Sequence, residues 1–196
     1  MMDSSLLMAI VGGYLLGSIP FGLVLTRIAG LGDIRDIGSG NIGATNVLRT
    51  GRKDLALLTL LLDSGKGAIA VIVASMLLSS EFGAPAGAAA FIGHCFPLYL
   101  KFKGGKGVAT FVGTIFAIDW MIGLTFLASW LLAALLFRIS SLAALLGTLI
   151  ATGFAYHYGA DNIWITICAM TLVIFIRHKD NIARIASGSE PKIGKK

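Results

Sequence analysis

Gly38-Ser39-Gly40-Asn41-Ile42-Gly43-Ala44-Thr45-Asn46-Val47-Leu48-Arg49 is a polar island in a chain that is oily nearly from end to end. Two more islands follow: Lys103-Gly104-Gly105-Lys106-Gly107-Val108-Ala109-Thr110, and Arg177-His178-Lys179-Asp180-Asn181 running on to Arg184. Between them lie apolar stretches at roughly 5–28, 55–80, 84–100, 105–118, 120–137, 139–157 and 161–176, most of them near the length of about 20 residues that crosses a bilayer. Of 196 residues, 56% are hydrophobic and 13% charged, with a mean hydropathy of +0.85. Soluble domains carry about a quarter charged residues. The chain therefore reads as an all-α integral membrane protein, a single membrane-embedded domain over residues 1–196, whose site is built from span ends and short loops.

Hydropathy alone leaves five, six or seven spans open, because the fourth stretch covers only about two-thirds of a bilayer core. Charge placement favours seven, with the N-terminus outside and the C-terminus cytoplasmic. The inner segments then hold Arg27, Arg35, Arg49, Arg52 and Lys53, then Lys101, Lys103 and Lys106, then Arg138. The tail adds Arg177, Lys179, Arg184, Lys192, Lys195 and Lys196, so that 15 of the 16 basic residues lie inside and Lys66 lies within a span. Asp3, Glu81, Asp119 and Asp161 fall outside, a one-sidedness expected of the positive-inside rule. Asp3 and the absence of a preceding Lys or Arg, with the length of the first stretch, mark a retained span rather than a signal peptide. All three islands then face the cytoplasm and can converge. The net charge of +6 suits anionic lipid headgroups and calls for no nucleic acid.

Gly38-x-Gly40-x-x-Gly43 has the spacing of a dinucleotide fingerprint but lies between spans rather than in a βαβ unit, which excludes that reading. Its chemistry persists, since glycine-rich backbone and a helix N-terminus bind phosphate. Ser39, Asn41, Thr45 and Asn46 add donors, and Arg49 can grip a phosphate bidentately. A capped surface loop is the bland alternative. In the second island Gly107 stands where a Walker lysine needs Ser or Thr, so a nucleotide-hydrolysing loop is rejected there and at Gly65-Lys66-Gly67. Three glycines around Lys106 at the start of a short helix still suit an anion.

Asp63 and Lys66 share a helix face and can pair, as functional intramembrane charges or as a structural pair supporting the first island. His94 reads as a packing histidine, and His157, between Tyr156 and Tyr158, as part of an interfacial aromatic cluster. His178 is the histidine expected to act, with Asn181 one helical turn later. Cys95 and Cys168 read as packing residues. No metal-ligand spacing is present, and neither metal nor organic cofactor is expected.

Ser39 to Arg49, Gly104 to Thr110, and Arg177-His178-x-x-Asn181-Ile182-x-Arg184 followed by Gly188-x-Glu190 resemble the three motifs of the bacterial PlsY family, membrane acyl-phosphate:glycerol-3-phosphate acyltransferases. The resemblance covers the whole chain in motif order and span pattern. It implies transfer of a fatty acyl group from acyl phosphate to the 1-hydroxyl of sn-glycerol 3-phosphate at the bacterial inner membrane. The products would be lysophosphatidate and inorganic phosphate, in the first acylation of phospholipid synthesis. By the same resemblance Ser39, Arg49 and Lys106 hold phosphate groups, and Gly104, Gly105 and Gly107 admit the acyl-phosphate headgroup. His178 and Asn181 orient the acceptor. Gly40, Asn41, Thr45, Asn46 and Arg184 are further substrate contacts, while Glu190, with Asp63 and Lys66, is structural. Either His178 or the departing phosphate takes the hydroxyl proton. The His-x4-Asp motif of acyl-CoA-dependent enzymes is absent, since Tyr99, Asn162 and Ala183 stand at the Asp position after His94, His157 and His178. An activated mixed anhydride makes that intelligible. Two rivals remain: a transporter, which would call for midplane broken helices and internal repeats, and a non-catalytic lipid-binding scaffold.

Overall fold

The computed structural model describes residues 4–158 and 161–194, apart from the side chains of Asp161 and Asn162. Asp3, Lys195, Lys196 and the side chain of Asp161, all used in the charge argument, lie outside the described residues. Helices are the only regular elements among the described residues. They are α1 (Ser4–Gly17), α2 (Phe21–Ile28), α3 (Ala44–Val47), α4 (Lys53–Leu77), α5 (Gly83–Cys95), α6 (Val108–Ile118), α7 (Trp120–Phe137), α8 (Ser140–Tyr158), α9 (Asp161–Arg177) and α10 (Lys179–Ala186). Each of the seven apolar stretches contains helix, as lipid demands of backbone that has no water to bond. By length and composition, Ser4–Ile28, Lys53–Leu77 and Trp120–Phe137 can cross a membrane.

Three boundaries differ from the sequence reading. The first stretch is divided at Ser18-Ile19-Pro20, where proline caps α2 and cannot donate into a continuing helix. The third ends at Cys95 because Pro97 follows, and the chain turns through a 3-10 segment at Leu98–Leu100. The fourth begins only at Val108, since Gly107 has φ +86°, leaving 11 residues, about 16 Å or half a bilayer core.

The chain forms two compact units, residues 1–118 and 119–196. In the first, α1, α4, α5 and α6 pack through glycine faces. A Cβ on Gly13 or Gly17 would strike the backbone of Ala86 or Ala90, and one on Gly67 would lie 2.5 Å from the Thr110 carbonyl oxygen. Such close approach is how helices associate where lipid supplies no hydrophobic drive. Gly13 meeting Ala86 and Gly17 meeting Ala90 makes α1 and α5 parallel. Gly83 beside Ser75 and Val71, with His94 beside Asp63, makes α4 and α5 antiparallel. The loop entering α4 and the loop leaving α5 therefore share one end of this unit.

In the second unit α7 packs on α8 and α8 on α9, with α10 against both α8 and α9. Gly147 accepts the Phe126 ring, and the Thr152 and Thr171 hydroxyls bond at 2.8 Å between α8 and α9. Tyr156, His157 and Tyr158 are exposed, and Tyr156 stacks edge-on against Trp164 at 5.4 Å, which forms the aromatic cluster. Cys95 is buried, whereas Cys168 is exposed.

Candidate active site

The first island is a loop folded around one amide. Asn46 is 2% exposed. Its Nδ2 donates to the Ile34 carbonyl at 2.7 Å, and its Oδ1 accepts from the Ser39 backbone N–H at 3.2 Å and hydroxyl at 3.4 Å. The amide expected to face a ligand is thus engaged in shaping the loop and placing Ser39. Gly38 has φ +57°, and a Cβ there would sit 2.6 Å from Arg49 Cδ and 2.9 Å from its Nη1, so Arg49 lies across a gap that only glycine leaves. Ser39, Gly40, Thr45 and Arg49 are exposed and Asn41 half-buried. The expected helix N-terminus is only the four-residue α3, too short to sum to a useful dipole. Backbone and side-chain donors must supply the attraction instead. At the loop's entry Asp33 accepts from Arg35 and Arg27. The Arg35 guanidinium is the main reason its carboxyl stays well below the usual range.

The second island is moulded onto the end of α5. The Gly105 N–H donates to the His94 carbonyl at 3.0 Å and the Gly104 N–H to the Cys95 carbonyl at 3.2 Å. A Cβ on Gly105 would overlap His94 Nε2, and one on Gly107 would strike the Phe91 ring and Cys95 Sγ. The glycines are therefore required by close approach to protein, beyond any approach to a ligand. Lys106 is half-buried between them. Leu100, just before the loop, packs against Leu23, Ile34, Ile42, Val47 and Ala56 beneath the first island. The two loops thus share an apolar base.

Asp63 and Lys66 pair at 2.9 Å with side chains 2% and 1% exposed. Lys66 also donates to the Ile19 carbonyl at 2.9 Å, at the break between α1 and α2. His94 Nδ1 lies 3.5 Å from the same Asp63 oxygen. The contacts of the pair therefore run to the α1–α2 break and, through His94, to the second island, rather than to the first island as expected. His94, expected only to pack, is buried beside Asp63 and against Gly105. Its signal is position: a polar residue in the last turn of a proline-ended helix that feeds a glycine loop.

The third island lies in the second unit. His178, 3% exposed, joins α9 to α10. Its Nδ1 lies 2.8 Å from the Ile174 carbonyl. A carbonyl can only accept, so Nδ1 carries a proton, and in the neutral ring Nε2 is the acceptor. Asn181, in the first turn of α10, donates to Glu190 Oε1 at 2.5 Å. Ser141 donates to the same oxygen at 2.6 Å, and Arg184 Nε to Oε2 at 2.6 Å. Burial alone would raise the Glu190 carboxyl, but these three donors outweigh it and hold it below the usual carboxylate range. Glu190 thereby clips α10 to the start of α8. Ser39, Arg49 and Lys106 stand on the first unit, and His178, Asn181 and Arg184 on the second.

A family model for glycerol-3-phosphate acyltransferase matches residues 7–188. A glycerol-3-phosphate acyltransferase of Maricaulis maris is 60% identical over 190 residues, covering 97% of this chain and 88% of that protein. One of Caulobacter vibrioides is 59% identical over 191 residues, covering 96% and 88%. A crystal structure of PlsY, an integral membrane glycerol 3-phosphate acyltransferase in its glycerol 3-phosphate form, aligns with a TM-score of 0.92 at 36% identity, over 97% of this chain and 96% of that one. The lysophosphatidic acid form aligns with a TM-score of 0.90. The chain belongs to the PlsY family of integral membrane glycerol-3-phosphate acyltransferases.

Proposed function

We propose that this glycerol-3-phosphate acyltransferase takes its acyl group from acyl phosphate and places it on the 1-hydroxyl, releasing lysophosphatidate and inorganic phosphate. The observation that carries the reading is the pairing of two loops on one apolar base, Arg49 over Gly38 in one and Lys106 among glycines in the other. Two cationic loops suit two phosphate-bearing substrates.

In this reading Ser39, Arg49 and Lys106 hold the phosphates. The backbone at Gly104, Gly105 and Gly107 receives the donor headgroup. Gly40, Asn41, Thr45 and Arg184 line the acceptor, and Asn46 acts by fixing Ser39. His178 and Asn181 orient glycerol 3-phosphate, with His178 Nε2 as the ring's acceptor for the attacking hydroxyl. The hydroxyl O–H and the acyl C–O(phosphate) bond break, the ester C–O bond forms, and the proton leaves the hydroxyl through Nε2 or directly to phosphate. A mixed anhydride needs mainly positioning and charge stabilisation. Residues 1–196 are read as a single membrane-embedded acyltransferase domain. Seven spans run N-out and C-in, placing the site on the cytoplasmic face of the inner membrane. The acyl chain enters from lipid and glycerol 3-phosphate from water.

Purified protein in detergent, given acyl phosphate and glycerol 3-phosphate, should release phosphate and lysophosphatidate in equal amounts. Acyl-CoA should not replace acyl phosphate. Efficient turnover with acyl-CoA would end the donor assignment.

A further inference from the structure

Asp63, Lys66 and His94 form a buried ionisable cluster, 2%, 1% and 4% exposed. Replacing a buried ion pair by apolar side chains is often neutral or stabilising, so stability alone gives little reason for such a cluster inside a membrane protein. Intramembrane charges generally mark function. What the cluster touches indicates which function. Lys66 is anchored by the Ile19 carbonyl at 2.9 Å and lies over the Phe21 ring at 5.7 Å. From there it holds Asp63 at 2.9 Å, and Asp63 faces His94 Nδ1 at 3.5 Å. The opposite edge of the imidazole, at Nε2, fills the place a Gly105 Cβ would take. The carbonyl of the same histidine accepts the Gly105 N–H at 3.0 Å. One residue thus bonds the second loop through its carbonyl and packs against it through its ring, whose Nδ1 faces the Asp63 carboxylate.

We propose that His94, oriented by the Asp63–Lys66 pair, is a positioning residue that sets the Gly104–Gly105 backbone for the acyl donor. The proposal rests on the reading above that this loop receives acyl phosphate. His94 acts through the loop rather than on substrate, so its loss should register on the donor alone. Misplacing a binding loop by about 1 Å can cost about 100-fold in rate. Asp63 and Lys66 act one step further back, and Lys66→Met should show the same donor-selective pattern more weakly.

The test is steady-state kinetics of His94→Ala, His94→Asn, Gly105→Ala, Lys106→Ala and the double variant His94→Ala/Gly105→Ala, varying each substrate in turn. His94→Ala should lower kcat/KM for acyl phosphate about 10- to 100-fold, with KM for glycerol 3-phosphate unchanged. His94→Asn, which keeps a donor towards Asp63, should recover part of the loss. Gly105→Ala collides with the ring, so removing the ring in the double variant should improve on Gly105→Ala alone. Equal losses on both substrates in His94→Ala, or a double variant as poor as the product of the singles, would overturn the positioning role. If Gly105→Ala and Lys106→Ala leave donor kinetics unchanged, the donor-loop reading itself falls and takes this proposal with it. If those two are impaired and His94→Ala and His94→Asn are not, only the role of His94 falls.

Discussion

Replacing Glu190 by alanine removes one carboxylate that accepts from Ser141, Asn181 and Arg184. Hydrogen bonds to a charged group contribute about 1.5–3 kcal/mol each. The Arg184 contact counts for little because that side chain is 40% exposed. The Ser141 and Asn181 contacts at the low end give about 3 kcal/mol, and water entering the emptied site returns part, leaving about 2 kcal/mol. That corresponds to a factor of about 30 in an equilibrium. Glu190→Ala should therefore lower the unfolding temperature in detergent and, by freeing Asn181, cut kcat/KM for glycerol 3-phosphate by up to about 30-fold. KM for acyl phosphate should stay put. Glu190→Gln retains an oxygen for Ser141 and Asn181 and should lose about half as much. The pH dependence follows from the lowered carboxyl. A depressed folded-state value contributes stability that is fully present above the unfolded value of about 4.3 and fades as pH falls through the folded one. Wild type should accordingly lose stability on acidification below about pH 4.3 more steeply than Glu190→Gln. A Glu190→Ala protein with wild-type unfolding and acceptor kinetics, or a Gln variant as damaged as the Ala one, refutes the clip.

Further perturbations address the rest of the site. Arg49→Lys keeps the charge but loses bidentate geometry, and phosphate release should fall about 10- to 100-fold, as expected from losing one charge-assisted hydrogen bond. Gly38→Ala forces a Cβ into the left-handed region at φ +57° and against Arg49 and Asn46, so turnover should fall, with a lowered unfolding temperature from the strained loop. Full activity would mean Arg49 does not work from where it lies. Asn46→Ala leaves the Ser39 N–H without its partner and the Ile34 carbonyl with the Ile37 N–H alone, and should cost about 1–3 kcal/mol, measured as a lowered unfolding temperature together with reduced turnover. Single cysteines placed at Glu81, Lys103 or Lys192, with Cys95 and Cys168 replaced, test topology in intact cells. An impermeant maleimide should label only the Glu81 site before lysis.

Much of this protein is legible before folding because a bilayer leaves few options. A run such as 55–80 must be helical, since its backbone has no water to bond, and α4 lies at Lys53–Leu77. Glycines beside Lys106 announce a loop where a helix fails to continue, and Gly107 starts α6 later than hydropathy suggests. Asn46 was equally visible as a polar side chain in a glycine-rich loop, but spacing cannot say which way an amide turns. It turns inward, to Ile34 and Ser39.

Composition and order of residues by themselves determined a membrane-embedded helical protein, its polar islands and the family. Those properties depend on local hydrophobicity, charge and chain flexibility, which each segment carries with it. The tertiary structure decided how polar groups are used. Asn46 braces a loop, Glu190 clips α10 to α8, and His94 stands between Asp63 and Gly105. Hydrogen bonds and ion pairs require partners within about 3 Å. Only the close packing of α1, α4, α5 and α6 on their glycine faces, and of α8 with α9 and α10, brings such distant residues that near.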